Sequence, residues 1–145
     1  MEKEKNKIDF SLLGIKTEQF ALEEENYSSK GKTGLSTSLQ FKFEPSDKQI
    51  GVFSTFKFLQ SKKIFIKIEV SCHFKLGDGS WNAFVQLEES KLVIPKDFLT
   101  HLAMITVGTT RGVLFSKTEG TIFSKHIIPT VNVVDQIKED VSLDL

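Results

Sequence analysis

Residues 64–76 read IFIKIEVSCHFKL, and seven successive alternate positions, Ile64, Ile66, Ile68, Val70, Cys72, Phe74 and Leu76, are apolar. A spacing of two puts these side chains on one face of a β-strand and leaves Lys67, Glu69, Ser71, His73 and Lys75 on the other. Working back along the chain, Leu35, Thr37, Leu39, Phe41 and Phe43 alternate with Ser36, Ser38, Gln40, Lys42 and Glu44 in the same way. Between these segments, Ile50, Val52, Phe56 and Phe58 share one face. Pro45-Ser46-Asp47-Lys48 and Ser61-Lys62-Lys63 supply the turns. Connections this short join antiparallel neighbours, because a parallel pair needs a crossover of about a dozen residues. The three strands therefore form a meander.

Upstream, Ile8, Phe10 and Leu12 alternate, the phase shifts at Leu13-Gly14-Ile15, and it has shifted again by Phe20 and Leu22. Gly14 suits a bulge in a fourth strand. The polar stretch Glu23 to Gly34 is too long for a tight hairpin and is expected to be a crossover loop. Downstream, Gly77-Asp78-Gly79-Ser80 is turn chemistry, while residues 81–93 have mixed character and their state stays open. Pro95 at a first helical position, with Asp97 in the first turn, opens a helix running to about Lys117 and stopped by Gly120. Phe98, Leu102, Ile105 and Thr109 form one stripe on it; Leu99, Ala103, Thr106, Thr110 and Val113 form another. Two covered faces imply two partners: the chain's own sheet and, through Leu99, Ala103, Thr106 and Thr110, the same helix of another subunit in a dimer or tetramer. Gly108 and Gly112 each weaken the helix by roughly 1 kcal/mol relative to Ala and mark a place for a kink. Extended structure is expected at Thr121 to Phe123 and His126 to Ile128, and Asn132 then caps a short last helix with Val134, Ile137 and Val141 as its stripe. The expected class is α+β: a four-stranded antiparallel sheet with a long first crossover, one long helix and a short C-terminal helix. It forms one domain over residues 1–145 with an ordered core at about 7–140.

Lys plus Arg and Asp plus Glu balance at 19 each, so the long-range field gives no reason to expect nucleic acid, an anionic membrane or an acidic substrate. The single cysteine, Cys72, cannot close an internal disulfide, and the opening MEKEKNKIDF lacks the apolar stretch of a secretory signal, so the expected compartment is the cytosol. No apolar run is expected to reach the roughly 18 to 20 residues that span a bilayer. Thirteen Phe accompany one Trp and one Tyr, most of them in strand-like segments where they fill a core or line a groove.

Catalytic and metal chemistry find no motif. His73, His101 and His126 sit on separate elements without a Cys or carboxylate in ligand register. Cys72 and His73 are adjacent on a strand and point to opposite faces, so they cannot pair as thiolate and imidazole. Gly31-Lys32-Thr33-Gly34 lacks the spacing of a phosphate loop and precedes a strand rather than a helix. Glu23, Glu24 and Glu25 read as a solvated loop. The expectation is a binding protein rather than an enzyme, with no cofactor.

The order of elements, with Ile94-Pro95 opening the helix, Thr110-Arg111-Gly112 late in it and Ile127-Ile128-Pro129-Thr130-Val131-Asn132 before the last helix, resembles the SecB-type protein-export chaperones over roughly residues 7 to 140. The resemblance implies an ATP-independent holdase, tetrameric through helices packed between two dimers, that wraps unfolded preproteins in long apolar grooves. It puts the groove between the first crossover and the terminal helix, here Phe20, Leu22, Tyr27, Leu35, Val134, Ile137 and Val141. It also implies docking to the translocase motor through an acidic outer sheet face. Here Lys42, Lys57, Lys63, Lys67 and Lys75 outnumber Glu44 and Glu69, which argues against that docking. The longer segments Ser80 to Ile94 and Leu114 to Lys125 suggest a divergent branch, some of whose members hold antitoxins rather than exported proteins.

Two other classes compete. A hotdog-like small-molecule carrier or enzyme would line a pocket with the Phe-rich strands, but such folds place their helix after the first strand, and here three further strands precede it. A single-partner adaptor would pair one sheet edge with one sequence and ignore generic unfolded protein.

Overall fold

The computed structural model describes residues 7–145. Its elements are β1 (Phe10–Leu22), β2 (Thr33–Glu44), β3 (Gln49–Gln60), β4 (Lys63–Leu76), α1 (Asp78–Ala83), β5 (Val85–Gln86), β6 (Lys91–Ile94), α2 (Lys96–Thr118) and β7 (Val141–Asp144). The first four strands make one antiparallel sheet in the order β1-β4-β3-β2. The α+β class, the meander, the long crossover and the long helix are as the periodicities indicate. The register of β1 on β4 slips between Leu12 and Gly14 and again between Thr17 and Gln19. These are the two phase shifts legible in the sequence, since each extra residue turns the following side chains over.

The crossover from β1 to β2 runs from one edge of the sheet to the other and is held by backbone and amide bonds. Glu23 N–H donates to the Phe65 carbonyl at 2.9 Å, and Asn26 Nδ2 donates to the Ile64 carbonyl at 2.8 Å. Gln60 clasps Ser28, with its Oε1 accepting from Ser28 N–H at 2.8 Å and its Nε2 donating to the Ser28 carbonyl at 2.9 Å. The β3–β4 turn consists of Ser61 (φ 51°) and Lys62 (φ 66°), a left-handed pair that suits Asn-Gly far better than Ser-Lys. Ser61→Asn with Lys62→Gly is expected to raise stability by about 1 kcal/mol, read as a higher urea midpoint at unchanged slope.

Helix α2 crosses the two central strands, β3 and β4. Leu99, Leu102, Ala103, Thr106 and Thr110 are wholly buried against Ile50, Val52, Ile66, Ile68, Val70 and Cys72 in the same core. This corrects the expected oligomer face: Leu99, Ala103, Thr106 and Thr110 face the chain's own sheet, and none is free for a second subunit. The buried threonines keep their hydroxyls satisfied by donating to carbonyls one turn back, Thr106 to Leu102 at 2.9 Å and Thr110 to Thr106 at 2.8 Å, so they pack as small core residues. By length and composition α2 is apolar enough to cross a bilayer, contrary to expectation, because threonine and glycine rather than charge dilute it. Its burial on the sheet is that of a core helix.

The segment left open by its composition forms α1, β5, a 3-10 turn and β6. The C-terminal region departs further from expectation. Residues 121–125 are turns, not a strand; the short terminal helix is one 3-10 turn, Val133–Asp135; and Val141 begins β7, paired with Ile94 in a second sheet β5-β6-β7. The stripe Val134, Ile137, Val141 therefore does not form. Arg111 anchors the connection, its Nε donating to the Ile128 carbonyl at 2.6 Å and its Nη2 to the Pro129 carbonyl at 2.8 Å. Two of the short motifs singled out in the sequence are thus bonded to each other.

Candidate functional site

Strand β1 has thirteen residues and, among the described residues, pairs only with β4, at one edge of the sheet. On its helix side lie Phe10, Leu12, Ile15, Thr17, Phe20 and Leu22, opposite Leu76, Phe74, Cys72, Val70, Ile68 and Ile66. The helix approaches this strand at both ends. Near the start, the Phe10 ring meets Phe98 at 5.4 Å and His101 at 5.8 Å, both edge-on. Near the end, the Lys117 ammonium sits 5.3 Å above the Phe20 ring.

Between these two contacts the strand is uncovered. Leu12 and Ile15 are 43% and 53% exposed, although their cross-strand partners Phe74 and Cys72 are wholly buried. The helical row His101, Ile105, Thr109, Val113 and Lys117, at spacings of four, joins these two contacts, and Ile105, Thr109 and Val113 are half-buried. Gly108 and Gly112 lie on the solvent side of that row with Met104 and Phe115, and a Cβ on Gly108 would meet Arg111 Nη1 at 4.0 Å. Leu12, Ile15 and Thr17 on the strand and Ile105, Thr109 and Val113 on the helix leave a shallow, largely apolar trough between the two ends. From Phe10 to Phe20 it runs ten residues, roughly 33 Å of strand, enough for an extended peptide of about ten residues. The outer edge of β1 offers that peptide unpaired backbone N–H and C=O groups.

Of the seven groove residues expected, Phe20 closes one end of this trough. Leu22 and Tyr27 lie beyond that end, where Tyr27 packs on Phe65 at 4.8 Å and on Phe123 at 5.1 Å. Leu35 sits on the opposite edge strand, across from Phe58. Val134 and Ile137 line a depression with Lys96 and Thr100 at the far end of the helix, and Val141 is in the second sheet. The seven do not form one groove, because the chain between the helix and Val134 leads back along the whole length of α2. Leu12, Ile15, Ile105 and Val113 are the trough residues that sequence reasoning did not assign to a groove. Their signal was present: a strand-periodic apolar run at the N-terminal end, and apolar helix positions beside the buried stripe.

The aromatic cluster beyond the trough also encloses His126, whose ring lies 5.1 Å from Phe65 and 5.3 Å from Tyr27, with Nε2 at 3.3 Å from the Tyr27 hydroxyl. Burial, and secondarily the Lys125 charge, hold its pKa below the ordinary histidine value of 6.5. The folded state therefore resists the proton that the unfolded chain accepts. The stability this neutral ring contributes is complete above about pH 6.5 and is lost as pH falls below it. The thermal midpoint is expected to drop from pH 7 toward about pH 5.5, and His126→Phe should flatten that part of the profile.

No model of a known protein family and no curated protein matches the chain. Among solved structures, a SecB-like chaperone of Mycobacterium tuberculosis, in complex with a ChAD peptide from an antitoxin, is similar in fold. Its TM-score is 0.49 at 8% identity, covering 86% of this chain and 91% of that one.

Proposed function

We infer that this protein is an ATP-independent holdase that binds unfolded or partly folded polypeptides in the cytosol, and that the β1–α2 trough is where it holds them. The observation that carries the reading is a core strand whose helix-facing apolar side chains, Leu12 and Ile15, are left half-exposed beside an unpaired sheet edge. A folded chain that needed no occupant would gain about 25 cal/mol for each Å² of this surface it covered. Extended polypeptide supplies both things the site lacks, alternating side chains for the trough and backbone groups for the edge. Affinity comes from several weak contacts along the client, so specificity is broad, and preproteins and antitoxin-like segments are equally suitable in kind.

The same helix supports self-association. Met104 and Phe115, 57% and 49% exposed, lie eleven residues apart on one solvent-facing stripe, the opposite side from Leu99 and Ala103. A helix that is apolar all round is normally covered all round. Met104→Glu with Phe115→Glu is expected to turn a dimer or tetramer into a monomer in sedimentation without lowering the thermal midpoint by more than a few degrees.

Client holding is tested by diluting an unrelated denatured protein into buffer with increasing amounts of this chain and no nucleotide. Suppressed light scattering near stoichiometric ratios is the expected result. Unchanged scattering at several-fold excess of the folded chain would sink the reading in favour of a dedicated adaptor or a pocket protein.

A further inference from the structure

The outer face of the sheet, opposite the helix, holds a second arrangement that the trough does not use. At its centre His73 of β4 pairs with Gly14 of β1 on one side and Gly51 of β3 on the other, and Gly51 pairs in turn with Lys42 of β2. An imidazole thus stands in one cross-strand row between two bare backbones. Neither glycine adopts a positive φ, so backbone conformation gives no reason for them. Glycine inside a strand weakens it and marks a place where something approaches closely. A Cβ at Gly14 would meet nothing within 4 Å; one at Gly51 would lie 3.3 Å from His73 Nδ1 and 3.2 Å from Phe53 Cε1.

The other ring nitrogen is held from below. Glu18 is the extra residue of the second bulge in β1, and its Oε2 accepts a hydrogen bond from Ser71 Oγ at 2.7 Å. Bulges re-aim side chains in this way. Ser71 is wholly buried, so it cannot serve as a nucleophile, and its one hydroxyl proton is committed to the carboxylate. The 2.9 Å contact between Ser71 Oγ and His73 Nε2 is then made by Nε2–H donating. That assignment leaves Nδ1 as the free position, over Gly51. The Phe53 ring meets His73 edge-on at 5.8 Å and carries the Lys42 ammonium 4.6 Å above its face. Lys16 and Glu44 complete the walls of the depression.

We propose that this is a binding site for an oxyanion, a carboxylate or phosphate group that seats over Gly51 and accepts a hydrogen bond from Nδ1–H of a protonated His73, between the ammonium groups of Lys42 and Lys16. Nε2–H and Ser71 join the ring to the Glu18 carboxylate, which supports the imidazolium as a carboxylate supports a ligating histidine. With Glu18 so engaged, the two lysines and the imidazolium face one remaining carboxylate, Glu44. The site lies on the opposite face of the sheet from the trough and does not depend on the holdase reading.

The test is titration of the isotope-labelled full chain with inorganic phosphate and, separately, acetate, followed by amide and imidazole NMR at about pH 6 and about pH 8. Saturable shifts at Gly14, Gly51 and His73 are expected, at least threefold tighter at the lower pH. Gly51→Ala, which closes the floor, and His73→Gln should each weaken binding about tenfold in a chain whose spectrum remains folded. Whichever anion binds tighter under these dependences identifies the ligand as phosphate- or carboxylate-bearing. Shifts that never saturate, or that persist unchanged in His73→Gln, belong to the lysines alone and overturn the proposal, as does the absence of shifts in the wild type.

Discussion

Replacing Leu12 and Ile15 together by serine is expected to leave the fold standing and make the protein a poorer binder. The two side chains are 43% and 53% exposed on an edge strand, so the double variant should lose no more than about 1 kcal/mol of stability. The same two side chains form the strand wall of the trough. Affinity for an unfolded client should fall at least tenfold, a loss of about 1.4 kcal/mol or more. A nearly unchanged urea midpoint beside the lost affinity separates this outcome from damage to the fold, which would lower both. Fluorescence anisotropy of a labelled client that cannot refold, together with urea denaturation, reads the pair. A double variant that binds as well as the wild type would remove the trough from the account.

The largest loss of stability is expected at Phe65. Its side chain is wholly buried, and its ring centroid lies 4.8 Å from Tyr27, 6.3 Å from Phe58, 6.0 Å from Phe123 and 5.1 Å from His126. Those partners come from the crossover, from β3 and from the segment after the helix, so one ring fastens the crossover and the segment after the helix to the end of the sheet. Phe65→Ala removes the ring and leaves a cavity that backbone bonded to Glu23 cannot close. A cost of about 3 to 5 kcal/mol is expected in urea denaturation, with accelerated hydrogen exchange in residues 23–32 and 121–128. A loss under about 1 kcal/mol would mean that the cluster is not the clasp described here.

Periodicity carried the sheet. The alternation from Ile66 to Leu76 and the run from Leu35 to Phe43 gave both the strands and their inner faces, and the phase slips around Gly14 and before Phe20 located both bulges of β1. A third slip, opposite Phe58 and Leu59, turns Ile64 over and buries Phe65 without breaking the alternation of the sequence. A strand records its own register errors in this way, because each inserted residue moves every later side chain to the other face. The helix was equally legible in extent but not in orientation. Apolar or small residues surround α2, so composition alone could not say which side meets the sheet, and the stripe assigned to a partner subunit proved to be the buried one. Orientation is decided by long-range contacts such as Phe10 on Phe98 and His101, which leave no local trace. The tail failed for a different reason. Residues 121–140 are as apolar as the rest of the chain but show no sustained period: Phe123, Ile128, Val133 and Ile137 reach the core singly, and Arg111 on the Ile128 and Pro129 carbonyls and Asp140 on the Lys96 amide at 2.8 Å tie the backbone down. The site suffered most, since its residues were drawn from the resemblance rather than from exposure. Val134 and Ile137 lie at the end of the helix remote from Phe20, and the exposure of Leu12 and Ile15 depends on where the helix crosses the sheet.

Hydrogen exchange of the full chain, with and without a saturating unfolded client, shows where polypeptide is held. If polypeptide is held in the β1–α2 trough and on the free edge of β1, amides from Leu12 to Thr17 should gain protection on binding, while those of β2 on the opposite edge keep their rates. Client bound at saturation with no change from Leu12 to Thr17 would contradict the account.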